Sequence, residues 1–313
     1  MRQGGSPPTG KWVGSPLGGV QAPEPIHLPD PKTRFIATAS RLDVLAEAHQ
    51  MAEWLKFMAA LTRAQHAAAL SVTLSHPLDE QQLEEAVSLQ KPPLAPEVHV
   101  RHPSWRQGLM VLLDNLDHSP MPKGSVAAID ELRSSDAGAI EALAHDFLCG
   151  SIDSNDAVRA LYVAAALQVY FTLAAASLSA PHLRLLPDRG VCPCCGSTPV
   201  SGVITASGRT PGTRYLYCSL CSTAWNHVRA VCITCRSTGA LSLRGIEGDP
   251  GAVKAEVCDD CHTYAKMLYQ AKDMQVDPFA DDLATLGLDM MVAEAGWARH
   301  APNPLLLVDN FRS

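Results

Sequence analysis

The sequence predicts a multi-domain α+β protein, in which a helical N-terminal domain precedes two tandem four-cysteine metal modules and a C-terminal helix. Three observations support this fold class. Apolar residues recur at steps of three and four through the first half of the chain, as they do on one face of a helix. Nine of the ten cysteines lie between Cys192 and Cys261, and they repeat with a fixed period. After Tyr269, apolar residues return to helical spacing.

These observations divide the chain into five segments. The 313 residues are about twice the usual length of one domain, which agrees with a domain followed by smaller modules. We expect a flexible Pro/Gly-rich tail over residues 1–33, a helical domain over 34–186, a first module over 187–230, a second module over 231–275, and a C-terminal helix with a tail over 276–313.

The composition excludes a wholly disordered chain. Apolar residues make up 47% of the sequence and charged residues 18%, which provides enough apolar surface for a sizeable core. The formal net charge is −7, so the chain as a whole generates no basic field that would attract nucleic acid or anionic lipid.

The first 33 residues contain 13 glycines and prolines and have no periodic apolar pattern. Such a segment buries too little surface to offset the entropy lost on ordering it, so we expect a flexible tail. It has neither the apolar core of a secretory signal nor a pair of arginines. We therefore expect a cytoplasmic protein, whose cysteines are metal ligands or free thiols rather than disulfides.

Four helices are predicted before residue 150. Val44, Leu55 and Met58 belong to an apolar stripe that predicts a helix over about residues 42–70. The proline-rich sequence around Pro92 ends the second helix, at about residues 78–89, because proline interrupts the helical hydrogen bonds. Helix formers dominate the three remaining segments, for which we expect helices at residues 78–89, 104–117 and 124–147.

Residues 160–183 contain no Asp, Glu, Lys or Arg and are long enough to cross a membrane. The segment is rich in alanine rather than leucine, contains Gln168, and follows a capping cluster that includes Asp153 and Asn155. We interpret it as the buried central helix of the helical domain, in which alanines allow close packing. No membrane insertion is expected.

Four Cys-x-x-Cys pairs form a tandem duplication. They are Cys192/Cys195, Cys218/Cys221, Cys232/Cys235 and Cys258/Cys261. Twenty-two residues separate the first pair from the second, and again the third from the fourth. Each pair of the second half begins forty residues after its counterpart in the first half. This register identifies a repeated module.

A Cys-x-x-Cys turn, or knuckle, places two sulfurs on one side of a tight loop, and two knuckles complete a tetrahedral cage of four thiolates. We predict one metal site from the first two pairs and another from the last two, with a short β-hairpin between the knuckles. CPCCG resembles a rubredoxin-type knuckle, in which Gly196 takes a positive φ. The modules are therefore expected to be rubredoxin-like or zinc-ribbon units. Pairing Cys218/Cys221 with Cys232/Cys235 is the alternative, which breaks the repeat.

The ligand set leaves the identity of the two mononuclear ions open. Tetrahedral four-sulfur sites bind zinc or a single iron. An iron–sulfur cluster also uses four cysteines, but the even hairpin spacing favours mononuclear ions. A thiol–disulfide oxidoreductase would carry one Cys-x-x-Cys at the start of a helix, which four pairs in a duplicated hairpin do not match.

Several reactive residue types remain outside the predicted cages. Cys194 lies inside the first knuckle and competes there with Cys195 as the second metal ligand. Cys149 is expected to be a small buried residue near a helix end. His227 is expected beside the sites rather than in them, because both cages are already full. Asp281 and Asp282 are expected to stabilise a helix N-terminus. We identify no catalytic constellation.

A nucleic-acid-binding zinc ribbon is disfavoured by the charge count. Between Asp188 and Asp273, nine Lys or Arg and seven Asp or Glu give +2, and eight thiolates with two divalent ions add −4, which leaves −2. Phosphate binding requires a positive surface. Five arginines of this region are expected at solvated positions, although together they would make a local patch: Arg209, Arg214, Arg229, Arg236 and Arg244.

Several stretches of the chain resemble a known family. They are VCPCCGSTPVSGVI, YLYCSLCSTAWNHVR, CITC, EVCDDCHTYAK and the C-terminal DDLATLGLDMMVAEAGWARHAPNPLLL. These sequences are similar to the FdhE family of formate dehydrogenase accessory proteins. The specific part of the resemblance covers about residues 183–307. Cys194 and Arg236 depart from the simplest knuckle pattern.

The resemblance implies a cytoplasmic maturation factor that binds the catalytic subunit of a respiratory formate dehydrogenase before that subunit is exported. It also implies that the cysteine sites bind metal, with iron as the favoured occupant, and that the protein does not itself oxidise formate. A different interpretation is redox action, because iron in a four-sulfur site can cycle by one electron and respond to oxygen.

Overall fold

The computed structural model describes residues 22–74, 78, 80–117, 119, 121–122, 124–301 and 303–306. It confirms the predicted fold class, since a helical region precedes strands that carry two four-cysteine clusters, and short helices follow. Residues 1–21 of the predicted tail, residue 79 of the helix predicted over 78–89, and residues 302 and 307–313 of the predicted C-terminal segment lie outside the described residues.

The helical region is built around one central helix. Its α-helices are α1 Pro31–Ala46, α2 Ala52–Ser71, α3 Glu80–Ser88, α4 Ser104–Asp114, α5 Ser125–Ser134, α6 Ala137–Cys149 and α7 Ala157–Ala176. Helices α2, α4 and α6 all pack against α7. The segment Ser154–Ala176 is long and apolar enough to cross a membrane, but 72% of its most apolar 18-residue stretch is buried inside the protein. That burial is typical of a core helix.

Two predicted helices are each divided in two. The helix predicted over residues 42–70 is instead α1 and α2, and Val44 of the predicted apolar stripe is exposed. The helix predicted over 124–147 is α5 and α6. The division arises because the Asp136 carboxylate accepts a hydrogen bond from the backbone N–H of Ala139 and so starts a new helix.

The predicted flexible tail is corrected at its C-terminal end. Ile26–His27 form strand β1, and Ile26 is buried. Helix α1 begins at Pro31, where the Asp30 carboxylate accepts a hydrogen bond from the backbone N–H of Lys32. The proline content predicts a flexible segment at Pro31, yet proline is favoured at the first helical position because no N–H is needed there.

The two cysteine modules share one sheet. Its strands after β1 are β2 Pro199–Ile204, β3 Arg214–Cys218, β4 Ala224–Asn226, β5 Leu241–Arg244, β6 Val253–Cys258, β7 Thr263–Tyr269 and β8 Ala298–Arg299. The order is β1-β4-β3-β2-β7-β6-β5, and β8 also pairs with β7. Each repeat supplies three antiparallel strands, and β2 joins β7 in parallel with Gly202 opposite Met267. The absence of a side chain at Gly202 allows this approach, since a Cβ there would lie 2.7 Å from the Met267 sulfur.

The C-terminal segment contains two short helices where one was predicted, α8 Ala280–Ala284 and α9 Leu286–Glu294. Of the apolar residues at helical spacing in this segment, Leu283 and Leu288 are buried, whereas Met291 is exposed. Asp281 and Asp282 lie in the first turn of α8, where acids stabilise a helix N-terminus as predicted. The Asp277 carboxylate also stabilises this end by accepting the backbone N–H groups of Phe279 and Ala280.

Asp282 also lies at the centre of a buried ion-pair network. The side chains of Asp282 and Lys266 are both 0% exposed, with Lys266 Nζ 3.3 Å from Asp282 Oδ1. Arg299 pairs with the same carboxylate, and the Asn303 amide donates a hydrogen bond to it at 2.9 Å. Burial acts to raise the pKa of Asp282, but Arg299 and Lys266 outweigh burial and hold that pKa below its ordinary value. The network fastens α8 and β8 to the central strand β7.

A second group of ion pairs joins the helical region to this segment. The Arg41 guanidinium of α1 lies 2.7 Å from Asp281 Oδ1 and 2.6 Å from Asp273 Oδ2. The Thr38 hydroxyl is hydrogen-bonded to Asp277 at 2.9 Å. Helix α1 therefore contacts residues 273–281, between the sheet and α8, through charged and polar groups that come from one of its faces.

We expect Asp282→Asn to lower the free energy of unfolding by about 3–5 kcal/mol, because Lys266 and Arg299 would be left sharing the single carboxylate of Asp289. Asp43→Asn is the matched control, since Asp43 pairs with Arg63 in solvent and its loss should cost less than about 1 kcal/mol. Urea denaturation of the full chain measures both. Similar losses in the two variants would contradict the buried network.

Candidate metal centres

The structure gathers the eight predicted cysteines into two clusters of four. The first cluster is Cys192, Cys195, Cys218 and Cys221, and the second is Cys232, Cys235, Cys258 and Cys261. Within each cluster the four sulfurs all lie within 4.8 Å of one another. The second knuckle pairs with the first and not with the third, so the alternative pairing does not occur.

The sulfur separations fit one tetrahedral ion per cluster. In the first cluster, Cys192 Sγ lies 3.4 Å from Cys221 Sγ. The equivalent separation in the second cluster, from Cys232 to Cys261, is 3.7 Å. Sulfurs bound to a tetrahedral zinc ion at about 2.3 Å are about 3.8 Å apart. Each cluster can therefore hold a single zinc or iron ion.

In both knuckles of the first cluster, backbone N–H groups donate hydrogen bonds to the sulfur of the first cysteine. Cys192 Sγ accepts from the N–H of Cys194 at 3.4 Å, and Cys218 Sγ accepts from Leu220 and Cys221 at 3.4 and 3.3 Å. Burial nevertheless raises the pKa of Cys192 and Cys218 well above the ordinary value. A bound cation supplies the positive charge that such buried thiolates require.

The residue after the second cysteine of each knuckle has a left-handed backbone. These residues are Gly196, Ser222, Arg236 and His262, with φ of 78°, 61°, 66° and 52°. The positive φ expected at Gly196 is confirmed, and Arg236 adopts the same conformation in spite of its side chain. At Gly196 there is a second constraint, because a Cβ would lie 3.2 Å from Pro92 Cγ.

The first cluster is anchored to the helical region through its second knuckle. The Gln168 amide of α7 donates a hydrogen bond to the carbonyl of Ser219 at 2.8 Å. One turn further along α7, the Thr172 hydroxyl lies 3.1 Å from the Ser222 hydroxyl, which also accepts from Arg34 of α1 at 2.9 Å. These contacts explain why a polar residue interrupts the most apolar helix of the chain.

The first knuckle is held by the proline-rich connection after α3. The backbone N–H of Leu94 donates a hydrogen bond to the carbonyl of Cys194 at 2.8 Å. Cys194 is buried but lies outside the four-sulfur cluster, which uses Cys195. Sequence reasoning missed Leu94, and also Arg34 and Thr172, because their roles depend on contacts between residues far apart in the chain.

The second cluster lies closer to solvent. Cys235 is exposed, and Cys261 is partly exposed. Burial acts to raise the pKa of Cys261, but hydrogen bonds with Thr263, Cys235 and Cys232 together outweigh it and lower that pKa to about 7. Beside the cluster, the Thr234 hydroxyl lies 2.8 Å from that of Thr263 and 2.7 Å from His300 Nδ1.

Two expectations for single residues are corrected. Cys149 was expected to be buried, but it is exposed at the end of α6, and its sulfur lies 3.6 Å from His145 Nε2. The helix ends at Cys149 because the next residue, Gly150, has a left-handed backbone that terminates the helix. Arg214 was expected at the surface, but it is buried and its Nη1 lies 2.6 Å from Glu256.

His227 lies between the clusters and belongs to neither. It is buried, and its Nδ1 lies 2.6 Å from Arg214 Nη2. Burial and the neighbouring Arg214 lower its pKa to about 4, so the imidazole is neutral at physiological pH. Its contacts support the arginine that links β3 to β6, in agreement with the expected position beside the sites.

Known families were compared with the whole chain. The family model described as FdhE, N-terminal, matches residues 23–187. The family models of the FdhE central domain and the FdhE C-terminal domain match residues 191–229 and 230–306. The chain belongs to the FdhE family. Membership therefore extends to the helical region, beyond the cysteine motifs that first suggested it.

Individual FdhE proteins agree with this assignment. Protein FdhE homolog of Stutzerimonas stutzeri (strain A1501) is 38% identical over 279 residues, which span 88% of this chain and 90% of the relative. Protein FdhE of Escherichia coli (strain K12) is 35% identical, with 90% and 91% coverage. The crystal structure of the FdhE protein from Pseudomonas aeruginosa superposes with a TM-score of 0.81 at 34% identity, covering 90% of this chain and 98% of that one.

The knuckle geometry predicts opposite effects for two substitutions. Gly196→Ala should lower the free energy of unfolding by about 1–2 kcal/mol, because an L side chain is strained at this φ. Arg236→Gly relieves the same strain at the equivalent position and should be neutral or stabilising by up to about 1 kcal/mol. Urea denaturation of the metal-loaded chains compares them. Equal losses in both would contradict the account.

Proposed function

We propose that this protein is an accessory factor for the maturation of a respiratory formate dehydrogenase. It acts in the cytoplasm, where it binds the catalytic subunit of that enzyme before export, and it is a binding protein rather than an enzyme. Membership of the FdhE family is the observation that carries the proposal.

We further propose that each cysteine cluster binds one ion through its four thiolates, with iron favoured and zinc as the alternative. The proposed ligands are Cys192, Cys195, Cys218 and Cys221 for the first ion, and Cys232, Cys235, Cys258 and Cys261 for the second. Because binding energy is also folding energy in such modules, each ion would stabilise the fold of its own module.

The subunit is proposed to dock where the helical region and the first cluster meet. A groove of about 530 Å³ lies between them, with Phe147 and Leu148 of α6 on one wall and Gly196 and Leu220 of the knuckles on the other. Glu97 is the only Asp, Glu, Lys or Arg among the described residues that line it. Since a charged segment would lose its hydration there, the groove suits an apolar segment of the immature subunit.

Co-purification tests this function. Tagged protein from cells that produce formate dehydrogenase should retain the catalytic subunit, and Leu148→Glu should reduce the retained amount by about tenfold or more, because a charge is buried at the contact. The control is Val126→Glu, at an exposed valine of α5 that does not line the groove.

The proposal would be abandoned if the unmodified protein retained no catalytic subunit. Equal retention by both glutamate variants would leave the function standing but would place the docking surface elsewhere. Circular dichroism of each variant shows that a loss of retention reflects contact rather than unfolding.

An iron-based redox or oxygen-responsive role is the second candidate, and the exposure of Cys235 favours it. An exposed ligand brings solvent and reactants close to the ion, which a redox centre needs. Elemental analysis of anaerobically purified protein decides this point, because zinc at full occupancy in both clusters would exclude redox chemistry.

A further inference from the structure

The two clusters are matched in sequence and differ in their surroundings. Each cysteine of the second cluster lies forty residues after its counterpart in the first. Every cysteine of the first cluster is 0% exposed, whereas Cys235 of the second is exposed and Cys261 is partly exposed. The four ligands are the same in both clusters, so any difference in how readily each cluster loses its ion must come from the residues that shield it from solvent.

The cover of the first cluster comes from the helical region, through Leu94, Gln168 and the Thr172–Ser222–Arg34 contacts. In the part of the chain that the structure describes, the helical region provides no equivalent cover for the second cluster. Among the described residues, no hydrogen bond joins residues 22–187 to its knuckles, which contact the C-terminal segment instead. The N–H of Ala298 donates to the carbonyl of His262 at 2.8 Å.

Release of an ion from four thiolates requires a donor group that reaches the ion and displaces the thiolates one after another. The ion keeps its charge throughout, and each freed thiolate takes up a proton from water. At the second cluster this donor can approach on the exposed side of Cys235. At the first cluster the donor group can reach the ion only after the helical region has opened locally, and this opening costs free energy.

The charges around the second cluster also favour the arrival of a cation. Asp259 and Asp260 are exposed inside its second knuckle, while Arg236 is the exposed cation next to Cys235. Together with the thiolates they give this tip of the sheet a negative charge, which raises the local concentration of cations.

We propose that the second cluster is an exchangeable metal site and that the first retains its ion. The ion of the second cluster leaves and enters on the side of Cys235 while the rest of the fold stays intact. This inference rests on the proposed metal binding and assigns different tasks to the two ions: the first holds the molecule together, and the second equilibrates with the surroundings.

The test uses the full chain loaded with Co²⁺ alone, whose absorption with thiolate ligands reports the bound ion. After excess EDTA is added, we expect two phases of equal amplitude with rates at least about tenfold apart. Alkylation with N-ethylmaleimide during the fast phase, mapped by mass spectrometry, should label Cys232, Cys235, Cys258 and Cys261 before any cysteine of the first cluster. Cys149 is exposed outside both clusters and should be labelled from the start, which makes it the internal control.

Matched variants assign the phases. Cys235→Ser should remove the fast phase and leave the slow phase unchanged, and Cys195→Ser is its counterpart forty residues earlier. If Cys195→Ser does not fold, the order of labelling in the unmodified chain still decides the question. A single phase, or simultaneous labelling of both clusters, would overturn this inference while leaving metal binding intact. No cobalt absorption at all would overturn metal binding itself.

Discussion

The hydrogen bonds between the first cysteine cluster and the helical region are the contacts on which the rest of the structure depends. Gln168 and Thr172 of the central helix bond to the knuckle that contains Cys218 and Cys221. Leu220 of the same knuckle is buried in the apolar core that the helices share with the cluster, and the hydrogen bonds give this packing a defined orientation. The cluster thereby serves as the joint between two halves of the chain that were expected to be separate domains.

This joint also explains how a duplicated module acquires two different halves. One copy lies against the helices, and its cysteines are fully buried. The other copy extends the same sheet through the parallel pairing of β2 with β7, which leaves Cys235 at the surface. The Asp282 network and the Arg41 ion pairs then fasten the C-terminal segment across both halves. Identical ligand sets are thus held in unlike surroundings by residues outside the repeat.

The sequence predicts the clusters well because the information is local: two cysteines on one turn, and two turns joined by a short hairpin. The left-handed backbone at Gly196 follows from the same local geometry. The pairing of Arg214 with Glu256 could not be predicted, since a buried charge is tolerated only when a distant partner compensates it. The exposure of Cys149 was missed for a related reason, because the helix end at Gly150, rather than the residue type, determines its burial.

Hydrogen–deuterium exchange is the most direct test of the claim that the first cluster joins the two halves. In Cys221→Ser, the amides of α7 near Gln168 and those of α1 near Arg34 should exchange faster than in the metal-loaded unmodified chain. In Cys261→Ser, the equivalent substitution in the second cluster, faster exchange should be confined to the second module and the C-terminal segment. Unchanged protection of α7 and α1 in Cys221→Ser would contradict the account.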